Sequence, residues 1–410
     1  MKNTVKLKPY CRKIGSGITP RGGDSVYIEY GVALIRSQNV YNGSFLYEGL
    51  AFINNDIAQR MKGVTLEKDD VLLNITGDSV ARCCIVPESI LPARVNQHVS
   101  IIRTGRDALN PKFLMYFLMS PLMQMRMLSL AGSGGTRKAL TKEMIEDFDI
   151  PFIEYQKQER IADILSAYDD LIDTNRRRIQ HLEESARLLF REWFVYFRFP
   201  GHEKVKIVYG VPEGWGKINF MDIISTIESG GRPKGGAIDE GVPSIGAENV
   251  NGIGNYNYSN EKYVPEEYYQ KMIKGKVISK DVLLYKDGAN IGRTTIVGYG
   301  FPHNKCCVNE HVFILRTKNN IQKWLYFFLS QDFIQQAVAN LNSNSAQPGI
   351  SQEKLSSLKI IFPDKEIVRL FDDVAEGIVK QIFNLSIQNQ KLAQARDLLL
   401  PRLMSGAIKV

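Results

Sequence analysis

The sequence has few of the patterns that catalysis, metal binding or export leave behind. Among 410 residues there are five cysteines, Cys11, Cys83, Cys84, Cys306 and Cys307. An odd count without a C-x-x-C spacing argues against a disulfide framework and a structural zinc site, and for reduced thiols in the cytoplasm. The two Cys-Cys pairs read as small apolar residues packed in strands. No apolar run follows Lys2, so no secretory signal is expected. The most apolar stretch, Phe113–Met125, is too short to span a bilayer and is interrupted by Ser120-Pro121, so no membrane is expected. There is no G-x-x-x-x-G-K-[ST] phosphate loop, no G-x-G-x-x-G opening a helix after a strand, and no H-E-x-x-H. These absences predict neither a catalytic residue nor a metal site, and no cofactor bound by this chain.

What is present is first a repeat. The stretch Ile14–Gly23 matches Ile227–Gly236, Gly31…Val40 matches Gly241…Val250, and Asp70–Leu73 matches Asp281–Leu284. Gly77…Arg82 returns as Gly288…Arg293, Asn96–Val99 as Asn309–Val312, and the aromatic run Phe113–Leu118 as Trp324–Leu329. Offsets run from 210 (Gly31 to Gly241) to 213 (Pro20 to Pro233). Within each block, Val71–Ile75, Cys84–Val86 and Val99–Arg103, with Val282–Tyr285, Thr295–Val297 and Val312–Arg316, read as strands. Pro111–Leu130 and Gln322–Asn340 read as helices. The blocks are therefore α+β.

A long helix follows each block. Between Tyr155 and Arg198 there is no Pro or Gly, and a heptad seam runs through Ile161, Leu165, Tyr168, Ile172, Asn175, Ile179, Leu182, Ala186, Leu189 and Trp193. The second seam is weaker: Phe371, Val374, Ile378, Gln381, Leu385, Gln388, Leu392, Ala395 and Leu399, with Pro401 expected to end the helix. The two seams predict an antiparallel coiled coil. With Ile161 opposite Leu399, Asn175 would face Leu385, between Gln381 and Gln388, which are its candidate partners and either of which could reach it. The predicted organisation is block 1–153, helix 154–198, linker 199–216, block 217–363 and helix 364–406.

Net charge is +8 at a pI near 9.0, a weak lean toward an acidic partner. Nucleic acid fits the recurring glycine-rich basic loops better than any catalytic scheme, because glycine lets backbone amides approach a phosphate while Arg and Lys supply charge. Candidate DNA contacts are Thr19, Arg21, Gly22, Arg36, Arg82, Gln97, Thr136, Arg137 and Lys138 in the first block. In the second they are Arg232, Lys234, Lys286, Arg293, Asn309, Ser345 and Gln347. Matched positions that stay alike are expected to build the scaffold or grip phosphate. Matched positions that differ, such as Gln97 against Glu310, are expected to read bases. The matched His98 and His311 read as hydrogen-bonding anchors of their loops. Arg176-Arg177-Arg178 could face DNA but reads more simply as a solvated helix face.

Several stretches carry a family resemblance: Leu189–Glu203 at the end of the first long helix, Val211-Pro-Glu-Gly-Trp215, Gln156–Ile161, and Leu398–Gly406 at the end of the second helix. With the block–helix–block–helix order, they make the chain resemble the specificity subunit of a type I restriction–modification system. The first block departs from the pattern by starting with Leu7-Lys-Pro-Tyr10 in place of Pro-Glu-Gly-Trp. The resemblance implies two target-recognition domains, each reading half of a bipartite asymmetric site on double-stranded DNA, with the helices as a spacer. It implies two methyltransferase (modification) subunits using S-adenosylmethionine to methylate adenine, and restriction (motor/nuclease) subunits. Helices of roughly 50 Å suit recognition elements about one DNA turn, ~34–36 Å, apart. Two rival readings are a protein-binding scaffold and a stand-alone methyltransferase or nuclease. Against the last, no Pro-Pro dipeptide occurs anywhere, which rules out the Asn-Pro-Pro-aromatic signature of adenine methyltransferases.

Overall fold

Each half of the repeat folds around the same small antiparallel sheet. The computed structural model describes residues 4–105, 107–132, 138–341 and 349–410. In the first block the main strands are β1 (Thr4–Lys6), β2 (Cys11–Ser16), β3 (Val32–Ile35), β4 (Ala51–Ile53), β5 (Val71–Asn74), β6 (Cys83–Ile85), β7 (Ala93–Val95), β8 (Val99–Thr104) and β9 (Asp149–Pro151). One sheet has the order β2-β8-β5-β6, and a second the order β4-β3-β7 with β3 and β7 parallel. The second block has β10 (Gly216–Asn219), β11 (Ile224–Ser229), β12 (Val242–Ile245), β13 (Tyr263–Val264), β14 (Val282–Tyr285), β15 (Thr294–Ile296), β16 (Cys307–Val308), β17 (Val312–Thr317) and β18 (Lys359–Phe362). Its sheets, β11-β17-β14-β15 and β13-β12-β16, repeat the same orders, again with one parallel pair.

The Val-Leu-Leu runs of β5 and β14 explain this architecture. A strand covered on both faces reads as a continuous apolar run. Val71 and Leu73 point into the helical side of the first block, and Leu72 into the core of the second sheet. Val282 and Leu284 split from Leu283 in the same way. The six predicted strands are found within one residue at either end. All five cysteines are free thiols, four of them buried. Burial pushes the Cys84 and Cys306 thiols up to about 12, which suits packing and leaves little thiolate.

The sequence pattern hid a second shared device. β1 pairs antiparallel with β9, and β10 with β18. Each block is thus strapped at its start to the segment that leads into a long helix. The first block makes this strap without the Pro-Glu-Gly-Trp stretch.

Four helical details differ from expectation. The helix expected over Pro111–Leu130 is two, α1 (Pro111–Met119) and α2 (Pro121–Gly132), bent by 72°. Pro121 lacks an N–H and holds Ser120 extended, at ψ 143°. The first long helix, α3, spans Tyr155–Phe194 and stops before Pro200. The helix expected over Gln322–Asn340 is also two, α4 (Gln322–Leu329) and α5 (Asp332–Asn340); Gln331 between them is extended and its side chain donates back to the Phe327 carbonyl at 2.9 Å. The second long helix, α6, covers Lys365–Met404 and passes through Pro401. That proline forfeits one backbone bond near the helix end, where Leu400, Leu403 and Met404 are held by burial.

The chain divides into two compact units, residues 1–172 with 392–410, and residues 173–391. Each contains one block and a stretch of both long helices. In the first unit, Ile161, Ala162 and Leu165 of α3 share a core with Leu400, Leu403 and Met404 of α6, and Arg396 ion-pairs with Asp169. In the second, Phe190 and Trp193 pack edge-on against Phe371, at 5.5 and 5.8 Å. There Asn175, 1% exposed, donates to Gln388 Oε1 at 3.1 Å and Asn389 Oδ1 at 3.0 Å. Within this unit the residue numbers rise along one helix as they fall along the other, so the pairing is antiparallel. The register is three residues away from the expected one, since Asn175 meets Gln388 and not the Leu385 level.

Along α3 the seam is inward-facing: Ile161, Leu165, Ile172, Asn175, Ile179, Ala186 and Trp193 are buried, and Tyr168, Leu182 and Leu189 half-buried. Along α6 the expected seam needs correction. Val374, Gln381 and Gln388 are exposed, and the buried stripe is Val368, Phe371, Asp372, Ala375, Val379, Ile382, Phe383, Leu385 and Ser386. Ile378, Leu392, Ala395 and Leu399 are half-buried. The stripe is broad because α6 packs two ways in this unit, against α3 and against the second block. Phe371 lies 5.9 Å from Phe327, and Phe383 lies 5.6 Å from Phe301. The segment 199–216 is no free tether, for Trp215 stacks on Phe199 at 5.5 Å and joins the core of the second unit.

Candidate nucleic-acid interface

Both blocks gather their glycine-rich loops at the same ends of their main strands. Gly17, where β2 runs out, must be glycine: a Cβ there would lie 2.0 Å from the Val95 carbonyl oxygen. Gly230 is its counterpart, with 1.6 Å to the Val308 oxygen. These glycines serve chain packing. Gly77 and Gly288, at φ 73° and 74°, turn the second loop in the left-handed region glycine favours.

In the first block these turns bring together residues far apart in sequence. Thr19 Oγ1 accepts from the Gln97 amide at 3.5 Å. His98 is held at three points: its amide donates to Asn96 Oδ1 at 3.1 Å, Nδ1 sits 2.6 Å from Thr76 Oγ1, and Nε2 lies 3.5 Å from the Gln97 side-chain amide. The Gly77 amide donates to the Lys138 carbonyl at 3.2 Å. Beside them opens a cavity of about 450 Å³ lined by Ser37, Gln38, Tyr41, Thr76, Arg82 and His98, among others. Arg82 lies over the ring of Tyr41, its guanidinium carbon 4.7 Å from the centroid. Arg21 and Gly22 are exposed on the first loop. Arg36 is not part of this face: Nη2 donates to the Gly49 carbonyl at 2.7 Å and the group lies over Tyr27. Thr136 and Arg137 lie outside the described residues.

The second block keeps the frame and changes the chemistry. The His311 amide donates to Asn309 Oδ1 at 2.9 Å, so the Asn309 side chain is an internal anchor like that of Asn96. His311 Nδ1 faces Asp287 at 2.8 Å, and Nε2 faces Glu310 at 3.1 Å. Arg232 pairs with the same Glu310 oxygen at 2.7 Å, so it is no free cation. Lys286 lies 5.0 Å from the centroid of Phe313. Lys234 and Arg293 are exposed. Ser345 and Gln347 lie outside the described residues. The hydroxyl and amide groups around His98 are thus replaced by carboxylates and an arginine around His311.

Both blocks are pinned to their helices by buried polar contacts. Tyr116 donates to Asp169 and Tyr326 to Glu183, each at 2.5 Å. Burial, then the facing carboxylate, pushes both hydroxyls well above their ordinary value, so they remain donors. Arg103 grips Asp70 through two bonds of 2.7 and 2.8 Å, and the matched Arg316 grips Asp281 through two of 2.7 Å. Among the described residues no three His, Cys, Asp or Glu side chains gather as a metal would require, and no single helix is long and apolar enough to cross a membrane.

The fold is that of a duplicated protein, two similar α+β domains alternating with paired long helices. The family model for the type I restriction–modification DNA specificity domain matches residues 22–184 and 212–389, and the chain belongs to that family. It is a DNA specificity subunit, not an enzyme. It is 25% identical over 438 aligned positions to the HindI specificity subunit of Haemophilus influenzae, covering 92% of this chain and 94% of that one. It is 24% identical over 316 to the MjaIX specificity subunit of Methanocaldococcus jannaschii, covering 74% and 71%. The crystal structure of a type I S subunit from M. genitalium superposes with a TM-score of 0.53 at 15% identity, over 98% of this chain and 95% of that one, a likeness of fold.

Proposed function

We propose that each block reads one half of a bipartite, asymmetric sequence on double-stranded DNA and that the paired helices fix the unread gap. The reading rests on one observation above others: the two blocks share a loop frame, down to the Asn–His anchor, yet line it with different side chains. A shared frame docks each block on its half-site in the same way, and different side chains select different bases. Candidate contacts are Thr19, Arg21, Arg82, Gln97 and Lys138 in the first block, and Lys234, Lys286 and Arg293 in the second. In this reading the chain acts in the cytoplasm, carrying two modification subunits that methylate adenine with S-adenosylmethionine; restriction subunits join the same assembly. The chain's own part is to position, and it supplies no reacting group.

Insertion of four residues into one long helix, with the complex reconstituted, tests the spacer. The gap in the methylated sequence is expected to change while both half-sites persist. Altered half-sites with the original gap would refute the spacer role.

A further inference from the structure

We infer that Arg82 is the guanine reader of the first block, and that its repeat-matched partner Arg293 does not share that role. The inference deepens the bipartite reading above and depends on it. It starts from which arginines of the first block are available. Arg12 is bound to the Thr104 carbonyl and Glu67, Arg36 to the Gly49 carbonyl, Arg94 to the Ala58 and Ala93 carbonyls, Arg103 to Asp70, and Arg126 to Asp149, while Arg21 and Arg60 are exposed with no aromatic ring beneath them among the described residues. Arg82 carries no ion pair among the described residues, and it is already ordered. The Tyr41 ring lies 4.7 Å from its guanidinium carbon and restrains the group, and no internal acceptor among the described residues takes its N–H donors. Arg82 lines the cavity of about 450 Å³ together with the Gln38 amide, the Ser37 and Ser79 hydroxyls and the Asp78 carboxylate.

A flat group with two parallel donors, held against a ring at an open polar cavity, fits two adjacent acceptors. In the major groove guanine offers that pair through O6 and N7, whereas adenine sets a donor beside its acceptor. Among the described residues, of the matched pair only Arg82 lies over a ring. Asn251 stands where Tyr41 does, and Arg293 is exposed without a ring under it among the described residues. Carboxylates of Asp287 and Glu310 stand against His311, where the first block has Thr76 and Gln97 against His98. A matched pair that the repeat alone treats alike thus has unlike tasks, base reading by Arg82 and at most charge by Arg293.

The test uses the complete modification complex and duplexes carrying its methylated motif. Each guanine is replaced in turn by 7-deazaguanine, which lacks the N7 acceptor. For the wild-type complex, one guanine in a single half-site is expected to weaken binding roughly 5- to 150-fold when so replaced, the range of a bidentate base contact. Arg82→Ala should remove that penalty, and with it the preference for guanine at that position, while the other half-site and the gap stay as they were. Arg293→Ala should leave every base preference intact. The inference is overturned if no guanine of either half-site is sensitive in the wild-type complex, a result that needs no variant to fold. It is equally overturned if Arg82→Ala weakens binding uniformly with the 7-deaza penalty unchanged, which is the signature of a phosphate contact. A wild-type motif that is not bipartite would instead sink the reading beneath it.

Discussion

Asp372 is the residue on which the second block's attachment to α6 can be tested quantitatively. Its carboxylate is buried and accepts from the backbone amides of Lys323 and Trp324, at 2.9 and 3.0 Å, capping the start of α4 from a different helix. It also holds the Lys323 ammonium at 2.5 Å, and that side chain is only 5% exposed. Asp372→Ala removes all three contacts. Glu376, 2.7 Å from the same ammonium, still supplies one counter-charge. Breaking one partner of a buried ion pair costs about 3–5 kcal/mol, and the remaining carboxylate places the expectation at the lower end, about 3 kcal/mol. Asp372→Asn keeps an acceptor for the amides and should cost less, about 1–2 kcal/mol. Urea unfolding followed by tryptophan fluorescence is the suitable assay, because all three tryptophans, Trp193, Trp215 and Trp324, belong to the unit of residues 173–391. A loss below about 1 kcal/mol for Asp372→Ala would refute the reasoning, as would equal losses for the two variants.

Three further outcomes follow from the same structure. Burial alone would raise the Glu376 carboxyl, but Lys323, Tyr299 and Lys280 outweigh it and hold the group down to about 2 from an ordinary 4.5. A carboxyl depressed in the folded state stabilises above its unfolded value, so this contribution is complete above about pH 4.5 and is lost as pH falls toward 2. Urea midpoints should accordingly drop more steeply between pH 5 and 3, roughly that window, in the wild type than in Glu376→Gln. Asn175→Leu replaces a buried polar seam residue by an apolar one; the unfolding free energy from urea titration should rise by about 1 kcal/mol, while the methylated sequences show a less uniform gap. Gly230→Ala drives a Cβ into the Val308 carbonyl and should lower the stability of its unit by several-fold more than Gly15→Ala in the other, where the space is open; comparable thermal shifts would contradict the close approach.

Much of the fold was legible because the repeat checks itself: a strand read at Val71 gains weight when Val282 reads the same way. The long helices were legible from their heptads, since a two-faced helix pair leaves a 3.5-residue period in one chain. That period fades on α6, because a helix packing against both α3 and the second block buries a wider stripe, and Val374 and Gln381 fall outside it. The break at Ser120 carried a signal in Pro121. The break at Gln331 carried none, since it depends on a side-chain bond to Phe327. The strap strands β1 and β10 are too short for a period and owe their pairing to tertiary closure.

The candidate site was legible in part. Thr19, Arg82, Gln97 and Lys138 were found through loop composition and recurrence, and the strand order brings them to one face. The direction of Arg36 was not legible, because only the folded chain places the Gly49 carbonyl in its reach. Tyr41 was missed altogether: nothing local ties an aromatic in a short hairpin to an arginine 41 residues later (from 41 to 82). The ion pairs Arg103–Asp70 and Arg316–Asp281 recur in the repeat, yet recurrence alone cannot separate a buried scaffold pair from a surface contact.

The central claim, that two unlike blocks read two unlike half-sites, is tested most directly by mapping methylated adenines across the genome of a cell carrying this chain with its modification subunits. The account predicts a single motif made of two different half-sites separated by a gap of fixed length and free sequence. A continuous motif, or one whose halves are identical, would contradict it.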